Sequence, residues 1–281
     1  MTENNELKLI AIDLDGTFLD DSKAIPEENL LALEAAADKG IAVVPATGRL
    51  YPALPQPLRE LPFMRYYILI NGAKVYDAKE DKVLFSAELP NKLALALFSH
   101  AEEIGCLYDC YLRDKGLMSR GLYDALDDIV ENKIYLEYMK SISKPVEDLK
   151  ALIRADGGPV QKVQYFFRDL EERKRQLATL ADHFPGTKVT SSIPMNIEIN
   201  AANASKGPAL QALCEHLGFT AANAAAFGDN TNDLNMVQAA GRGVAMKNSD
   251  AVLLAAADIV TPFDNNEAGV GKMIMEFLKA V

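Results

Sequence analysis

The sequence predicts an α/β protein with a doubly wound, Rossmann-like parallel sheet as its core and a second α/β domain inserted into that core. In the first third of the chain, short apolar runs alternate with helical patterns, and the same alternation returns towards the end. Repeated βαβ units imply a parallel sheet with right-handed crossovers. Acidic residues follow the apolar runs in both end regions but not in the middle. We therefore expect residues 1–82 and 191–281 to form the core and residues 83–190 to form the inserted domain.

The first third contains three predicted strands and one predicted helix. Residues 9–12 form an apolar run that stops where charges begin, which is typical of a buried parallel strand. A helix is expected to begin at Pro26, which suits a first turn and precedes two acids at the positive end of the helix dipole. It should end at Gly40, a favoured C-terminal cap. Residues 41–44 and 67–70 are the next predicted strands.

The rest of the chain changes pattern twice. In the middle, helical patterns at 91–104, 121–131, 145–155 and 169–183 alternate with strand-like runs at 106–112, 163–167 and 188–191. From residue 196 the pattern of the first third returns. There we predict a strand at 196–199, a helix at 205–217, a strand at 224–227, a helix at 231–240, strands at 243–246 and 258–261, and a final helix.

Composition and charge limit the class of protein. Hydrophobic residues make up 49% and charged residues 25% of the 281 residues, which is typical of a globular chain. The net charge of −11 argues against nucleic acid and anionic membrane surfaces as partners. The N-terminus is polar and acidic, no apolar run reaches the length of a membrane span, and the three cysteines lack metal-finger spacing. We expect a cytoplasmic protein, and the sequence leaves its oligomeric state open.

The segment Asp13-Leu14-Asp15-Gly16-Thr17 is the most informative one, because it places two carboxylates, a glycine and a hydroxyl directly after the first predicted strand. Side chains at the carboxyl end of such a strand project into the crevice where open α/β sheets bind ligands. Two carboxylates this close repel each other unless a divalent metal or a basic side chain neutralises them. The alternative is an ordinary turn, since Asp and Gly are also turn residues.

Other predicted strand and helix ends add polar groups, namely Thr47, Lys206, Asp229, Asn232 and Asp233. Metal-assisted phosphoryl transfer needs such a set: carboxylates for Mg²⁺, a nucleophile, a proton donor, and donors for three phosphoryl oxygens. Each residue also has a simpler explanation, as a plain turn at Thr47, a surface lysine at Lys206, or a capped helix start after Asp229.

The order and spacing of these motifs resemble those of the haloacid dehalogenase-like hydrolases, specifically the Cof-type phosphatase branch, subfamily IIB. The matching motifs are DLDGT at 13–17, TGR at 47–49, NGA at 71–73, SKG at 205–207, GDNTND at 228–233 and GRGVAM at 241–246. They cover the whole predicted core, whereas the middle domain matches only in position and size. Asn203, Asn230 and Lys247 depart from the usual pattern, and none of them removes a chemical group.

The resemblance implies a role for each matched residue. Asp13 would be the nucleophile that becomes an aspartyl-phosphate, and Asp15 the general acid for the leaving alcohol and then the base for water. Asp13, Asp229, the backbone carbonyl of Asp15 and, in support, Asp233 would bind Mg²⁺. Thr47 and Lys206 complete the catalytic set. The phosphate-binding set would be Leu14, Thr47, Gly48, Lys206 and Asn232.

The leading hypothesis is therefore a Mg²⁺-dependent phosphatase that acts on a small phosphorylated metabolite, such as a sugar phosphate or a phosphorylated cofactor, with the inserted domain as a cap. A phosphomutase with the same nucleophile is one alternative, and a cluster of arginines on the cap would favour it. A non-catalytic phospho-acceptor or scaffold is another. It predicts the loss of Asp13, Asp15, Lys206 or Asp229, and all four are present.

Overall fold

The computed structural model describes residues 6–130 and 132–279, which divide into two compact units. The core unit comprises residues 6–49, 54–86 and 205–279, and the inserted unit comprises residues 50–53 and 87–204. The predicted fold class is confirmed: a parallel sheet forms the core, and a second, mostly antiparallel sheet forms the insertion.

The strands in chain order are β1 Leu9–Ile12, β2 Ala42–Pro45, β3 Tyr66–Leu69, β4 Lys74–Asp77, β5 Lys82–Ser86, β6 Leu107–Leu112, β7 Lys115–Ser119, β8 Ser143–Val146, β9 Lys162–Phe166, β10 Thr187–Thr190, β11 Asn196–Ala201, β12 Ala224–Gly228, β13 Arg242–Ala245 and β14 Ile259–Val260. The α-helices are α1 Glu27–Asp38, α2 Gln56–Arg59, α3 Asn91–Glu103, α4 Arg120–Ile129, α5 Lys133–Ile142, α6 Leu149–Asp156, α7 Leu170–His183, α8 Lys206–His216, α9 Leu234–Ala239, α10 Ala251–Ala256 and α11 Gly269–Lys279.

The core sheet has five parallel strands in the order β14-β13-β12-β1-β2. On one face, the apolar side chains of β1, β2 and β12 pack against α8 and α9 in a buried cluster. On the other side, α1 and α11 pack together, and the ring of Phe277 in α11 lies 6.0 Å from that of Phe227 in β12. Helices thus cover both faces of the sheet, as in a doubly wound fold. The carboxyl ends of β1, β2 and β12 meet at one edge.

The third predicted strand is present, but its pairing differs from the expectation. β3 pairs antiparallel with β4, which pairs antiparallel with β5, in a separate three-stranded sheet. A single parallel bridge between Ala46 and Ile68 joins it to the chain after β2. The tight turn at residues 70–72 explains the difference, because it returns the chain as a hairpin before a crossover helix can form.

The inserted unit contains the six-stranded sheet β10-β11-β9-β6-β7-β8, in which only β7 and β8 are parallel. One assignment was wrong: β11, placed by its sequence in the core, pairs with β9 and β10 in this sheet. The alternating pattern of Asn196 to Ile199 fits either sheet, so the pattern alone could not assign it. The unit therefore ends at residue 204 rather than 190, and it begins at residue 87 rather than 83 because β5 pairs within the core unit.

The structure adds helix α5 and strand β8, for which the sequence predicts no element, and β8 includes the first two residues of the helix predicted at 145–155. Helix α6 begins instead after Asp148, whose side chain accepts a hydrogen bond from the amide of Ala151 as an N-cap. No helix in the described part of the chain is long and apolar enough to cross a membrane.

One face of the inserted sheet carries buried polar side chains where an apolar core is usual. Lys162 and Glu198, both almost fully buried, form an ion pair at 2.9 Å. Gln164 donates a hydrogen bond of 2.8 Å to the buried carboxylate of Asp109. Burial raises the pKa of Asp109 to about 7, and the hydrogen bond from Gln164 and the charge of Lys162 only partly oppose this rise.

Replacement of Asp109 should therefore change how stability depends on pH. Between about pH 4 and pH 7 the folded protein holds more protons at Asp109 than the unfolded chain, so the free energy of unfolding falls as pH rises. Asp109→Asn removes this loss while keeping an oxygen for Gln164 to bind. We expect the free energy of unfolding of the variant, relative to that of wild type, to rise by about 2–4 kcal/mol from pH 4.5 to pH 8. Urea denaturation at the two pH values measures it.

Asp124→Asn, at an exposed position in α4 of the same unit, is the matched control. Its stability relative to wild type should be the same at pH 4.5 and pH 8. An equal stability difference for Asp109→Asn at pH 4.5 and pH 8 would show that Asp109 does not titrate in this range.

Candidate active site

The acidic residues predicted for the site follow two neighbouring strands of the core sheet. Asp13 comes directly after β1, and Asp229 comes directly after β12, its parallel neighbour. Asp233 lies one turn further on, where its Oδ2 accepts hydrogen bonds from the backbone amides of Asp229 and Asn230. Asp13 is 5% exposed and Asp233 is fully buried. The parallel register of the two strands is what brings these distant parts of the chain together.

Lys206 lies at the start of α8 and is fully buried. Its Nζ contacts Asp13 Oδ1 and Asp233 Oδ1, each at 2.6 Å. Burial alone would lower the pKa of the ammonium group, but the two carboxylates outweigh it and raise this pKa above its usual range. The alternative explanation of Lys206 as a surface lysine near a helix start is therefore excluded.

Asp229 is held by the loop that follows β1. Thr17 Oγ1 donates a hydrogen bond of 3.1 Å to Asp229 Oδ1. Gly16 has a φ of +88°, and a Cβ atom added there would lie 2.4 Å from Asp229 Oδ2. A glycine is thus required at position 16 both by its backbone conformation and by the close approach of a carboxylate.

Asp13, Asp229 and Asp233 each offer a carboxylate oxygen, and these three atoms lie within 4.8 Å of one another. Burial, the charge of Asp233 and the charge of Asp229 raise the pKa of Asp13, and Lys206 offsets this rise only in part. Burial and the charge of Asp233 likewise raise the pKa of Asp229 to about 7. Three carboxylates against one ammonium group leave surplus negative charge, and hard oxygen donors are what Mg²⁺ prefers. The residues present therefore fit a divalent cation.

The side chain of Asp15 points to other partners. Arg49 donates two hydrogen bonds to its carboxylate, from Nε at 2.7 Å and from Nη2 at 2.6 Å, and Lys23 Nζ lies 2.8 Å away. Burial alone would raise the pKa of Asp15, but these hydrogen bonds and charges hold it well below its usual range. Sequence reasoning missed both basic partners. Arg49 could have been found from its place in the TGR motif, whereas nothing marked Lys23.

The remaining predicted residues surround the turn after β2. Thr47 is buried, and its Oγ1 accepts a hydrogen bond of 3.2 Å from the amide of Arg49. A Cβ atom at Gly48 would lie 2.9 Å from Asn71 Oδ1, and Asn232 Nδ2 lies 3.5 Å from the same oxygen. Asn71, which belongs to the matching NGA motif, thus joins two of the predicted phosphate-binding residues.

The turn that carries Asn71 is strained. Ile70 and Asn71 have φ values of 55° and 56°, in the left-handed region that favours glycine, and Gly72 follows with φ of 87°. A Cβ atom at Gly72 would lie 2.3 Å from the backbone carbonyl of Ser205. The turn therefore packs directly on the start of α8, which carries Lys206. Strained backbone of this kind is concentrated at functional sites.

Leu14, predicted for its place in the motif, is buried, and its carbonyl accepts hydrogen bonds from the amides of residues 17–19. One contact cluster thus contains Asp13, Lys206, Asp229 and Asp233. Thr47, Gly48 and Asn232 lie together around Asn71, and the Asp15 carboxylate is bound apart from the acidic group.

Family comparison agrees with this geometry. The haloacid dehalogenase-like hydrolase family matches the chain over residues 10–274. The chain belongs to this family. Among its similar relatives, the 5-amino-6-(5-phospho-D-ribitylamino)uracil phosphatase YcsE of Bacillus subtilis (strain 168) is 32% identical over 277 residues, which cover 98% of each chain. The pyridoxal phosphate phosphatase YbhA of Escherichia coli (strain K12) is 27% identical over 96% of this chain and 98% of its own.

Solved structures give the same result. A haloacid dehalogenase-like hydrolase from B. subtilis has a TM-score of 0.81 at 29% identity, over 96% of this chain and 99% of its own. Another from Bacteroides thetaiotaomicron has a TM-score of 0.81 at 27% identity, over 97% of this chain and 100% of its own. The predicted family is thus confirmed: the chain is a haloacid dehalogenase-like hydrolase, and the relatives named above are phosphatases.

Lys206→Met should destabilise this hydrolase by about 3–5 kcal/mol, because it leaves two buried carboxylates facing each other without a cation. The measurement is urea denaturation of metal-free protein at neutral pH. Adding Asp13→Asn to Lys206→Met should recover part of the loss, since it removes one of the two charges. Lys174→Met, at an exposed position in α7, is the control and should change stability by less than about 0.5 kcal/mol. A loss of that small size for Lys206→Met would contradict the electrostatic role.

Proposed function

We propose that this enzyme is a Mg²⁺-dependent phosphatase that hydrolyses small phosphorylated metabolites through an aspartyl-phosphate at Asp13. The observation that carries the proposal is the buried contact between Asp13 and Lys206 beside the carboxylates of Asp229 and Asp233. A nucleophilic carboxylate must be ionised and fixed in direction. The short contact to the ammonium group fixes its direction and partly offsets the raised pKa, and a bound divalent cation would supply the remaining positive charge. Such a group has no evident structural purpose, because an apolar cluster would cost less to bury.

The metal site follows from the same cluster. Asp13, Asp229, Asp233 and the backbone carbonyl of Asp15 would hold Mg²⁺, which when bound offsets negative charge on the phosphoryl group. The positive charge of Lys206 would offset the same negative charge, because its Nζ already contacts Asp13. Without positive charge here, a phosphoryl dianion could not approach three carboxylates.

The phosphoryl oxygens would be bound by the hydroxyl of Thr47 and by the groups near it. Gly48 and Asn232 both lie against Asn71, so the strained turn at residues 70–72 would fix this part of the site. Leu14 would contribute through its backbone between Asp13 and Asp15. Together with Lys206, these are uncharged and cationic donors, which suit three equatorial phosphoryl oxygens.

The reaction would proceed in two displacements. In the first, a carboxylate oxygen of Asp13 attacks phosphorus, the ester P–O bond breaks, and Asp15 gives its proton to the leaving oxygen. In the second, Asp15 takes a proton from water, whose oxygen attacks phosphorus and releases Asp13 and inorganic phosphate. Because Arg49 and Lys23 hold Asp15 ionised in this structure, Asp15 must separate from them and gain a proton before the first step.

The inserted unit would act as a cap that selects the substrate. Relatives named for a ribitylaminouracil phosphate and for pyridoxal phosphate support a small phosphate ester as the substrate. Cytoplasmic location and the absence of nucleic-acid partners stay predictions of the sequence.

A phosphomutase is less well supported, because it must hold a second phosphate and needs unpaired basic groups on the cap. Several basic residues of the inserted unit instead form ion pairs with acids: Arg113 with Asp156, Arg120 with Glu147, Lys140 with Asp127, Lys150 with Glu102 and Lys162 with Glu198. Their charge is already balanced.

Asp13→Asn tests the proposed function directly. The amide keeps the shape of the side chain but cannot attack phosphorus, so turnover should fall below about 1% of wild type while the fold is retained. Release of inorganic phosphate from a panel of phosphorylated metabolites, with Mg²⁺ present, measures the loss.

Two controls accompany this experiment. Asp38→Asn, at the exposed end of α1, should retain full activity, and EDTA should abolish the activity of the wild type. Turnover above about 1% in a clean preparation of Asp13→Asn would remove the nucleophile assignment. Full activity after removal of metal would remove Mg²⁺ from the proposal.

Asp15→Asn should slow the hydrolysis of alkyl phosphates far more than that of p-nitrophenyl phosphate. The asparagine can still accept hydrogen bonds from Arg49, so the local structure is kept, but it has no proton to give to a poor leaving group. Single-turnover transfer to Asp13 is the measurement, because it excludes the later step with water. Equal losses for both substrates would mean that Asp15 is not the acid.

A further inference from the structure

Residues 14–19 form the loop after Asp13 that carries both Asp15 and Thr17. Inside the loop, the backbone amides of Thr17, Phe18 and Leu19 all donate to the carbonyl of Leu14, at 3.4, 3.1 and 2.9 Å. One carbonyl therefore accepts hydrogen bonds from three amides. The carbonyls of the loop that face away from this centre need donors from elsewhere, since buried backbone oxygens are rarely left without one.

Three asparagine side chains supply those donors, and we call them the carbonyl clamp: Asn29, Asn248 and Asn265. Asn248 Nδ2 donates to the carbonyl of Gly16 at 2.8 Å, Asn29 Nδ2 to that of Phe18 at 2.8 Å, and Asn265 Nδ2 to that of Leu19 at 3.0 Å. Asn29 and Asn265 are buried, whereas Asn248 is exposed. The three come from α1, the turn after β13 and the turn before α11.

The other ends of two clamp side chains are also fixed. Asn29 Oδ1 accepts a hydrogen bond of 2.7 Å from the amide of Gly271 in α11. Asn248 Oδ1 accepts one of 3.3 Å from the amide of Asn265, so two members of the clamp hold each other. An amide side chain carries a donor and an acceptor on two different atoms, so it can bridge two backbone groups in this way. An aspartate would keep the acceptor and lose the donor.

The turn that carries Asn248 also holds the second acidic loop. Ser249 Oγ donates to the carbonyl of Gly228 at 3.2 Å, and the amide of Asp250 donates to the carbonyl of Asp229 at 2.9 Å. Residues 248–250 thus bind the loop after β1 and the loop after β12 at once. The spacing between Asp13 and Asp229 depends on both of these loops.

We propose that Asn29, Asn248 and Asn265 are positioning residues. They fix the loop 14–19 and so keep Asp15 and Thr17 in fixed positions relative to Asp13 and Asp229. The catalytic part of this inference rests on the proposed phosphatase function. None of the three side chains contacts the carboxylates of the acidic cluster in the described structure, so they act through the backbone. Partners that orient catalytic or ligating groups in this indirect way typically contribute about 10- to 100-fold in activity.

Asn248→Asp is the test variant, because its exposed position makes a folding defect avoidable. The change removes the donor and adds a negative charge. Asn248→Ala repeats the test without adding charge. The matched controls are Asn223→Asp and Asn223→Ala. Asn223 Nδ2 also donates to a backbone carbonyl, that of Glu6 at 3.0 Å, but it precedes β12 at the opposite edge of the sheet.

Two readouts are needed. In metal-free protein, amide hydrogen exchange at Thr17, Phe18 and Leu19 should become about tenfold faster or more in both Asn248 variants, with exchange in β1 and β12 unchanged. In the Mg²⁺-loaded enzyme, kcat for an alkyl phosphate should fall about 10- to 100-fold while KM changes less than about threefold. The Asn223 variants should match wild type in both.

Unchanged exchange in the loop, or faster exchange with unchanged kcat, would overturn the inference. Exchange requires no turnover and is measured without metal, so it decides the role of the clamp even in an inactive protein. A wild type that hydrolyses no phosphate ester would instead contradict the proposed function alone.

Discussion

The buried contact of Lys206 with Asp13 and Asp233 is the interaction on which the rest of the site depends. It joins the end of β1, the start of α8 and the turn after β12, which are far apart in the sequence. An ammonium group without these carboxylates could not be buried, and the carboxylates without it would repel each other. The core sheet therefore has to hold three chain segments at fixed spacing. The glycines at positions 16 and 72 allow the close approach that this requires.

The sequence predicted the acidic strand ends because they depend on local signals, namely an apolar run followed by charges. Asp13, Asp229 and Lys206 lie at element ends in the structure as they did in the prediction. The assignment of β11 failed for a physical reason. The alternation of Asn196 to Ile199 describes a strand with one polar face, and the polar face of the inserted sheet is as buried as the core.

The partners of Asp15 could not be predicted in the same way. Lys23 reaches Asp15 from a turn at residues 20–24, and its own φ of 66° lies in the left-handed region. No pattern in the sequence indicates such a conformation for a lysine. The strained turn at residues 70–72 is a second example, because Ile70 has a low intrinsic preference for positive φ. Both features are set by tertiary contacts, and both lie beside the predicted site.

Two carboxylates only two residues apart have opposite environments in this enzyme. In a continuing strand, side chains at positions i and i+2 would lie on the same face. The strand ends at Ile12, however, and the chain turns through Leu14 and Gly16. Asp13 consequently points to Lys206, where burial and neighbouring acids raise its pKa, while Asp15 points to Arg49 and Lys23, which lower its pKa. This pKa order is the reverse of what a nucleophile at Asp13 and a proton donor at Asp15 would need. A cation beside Asp13 would lower the first pKa, and separation from Arg49 and Lys23 would raise the second. The turn creates the separation, so whatever fixes the turn also keeps the two carboxylates on different partners.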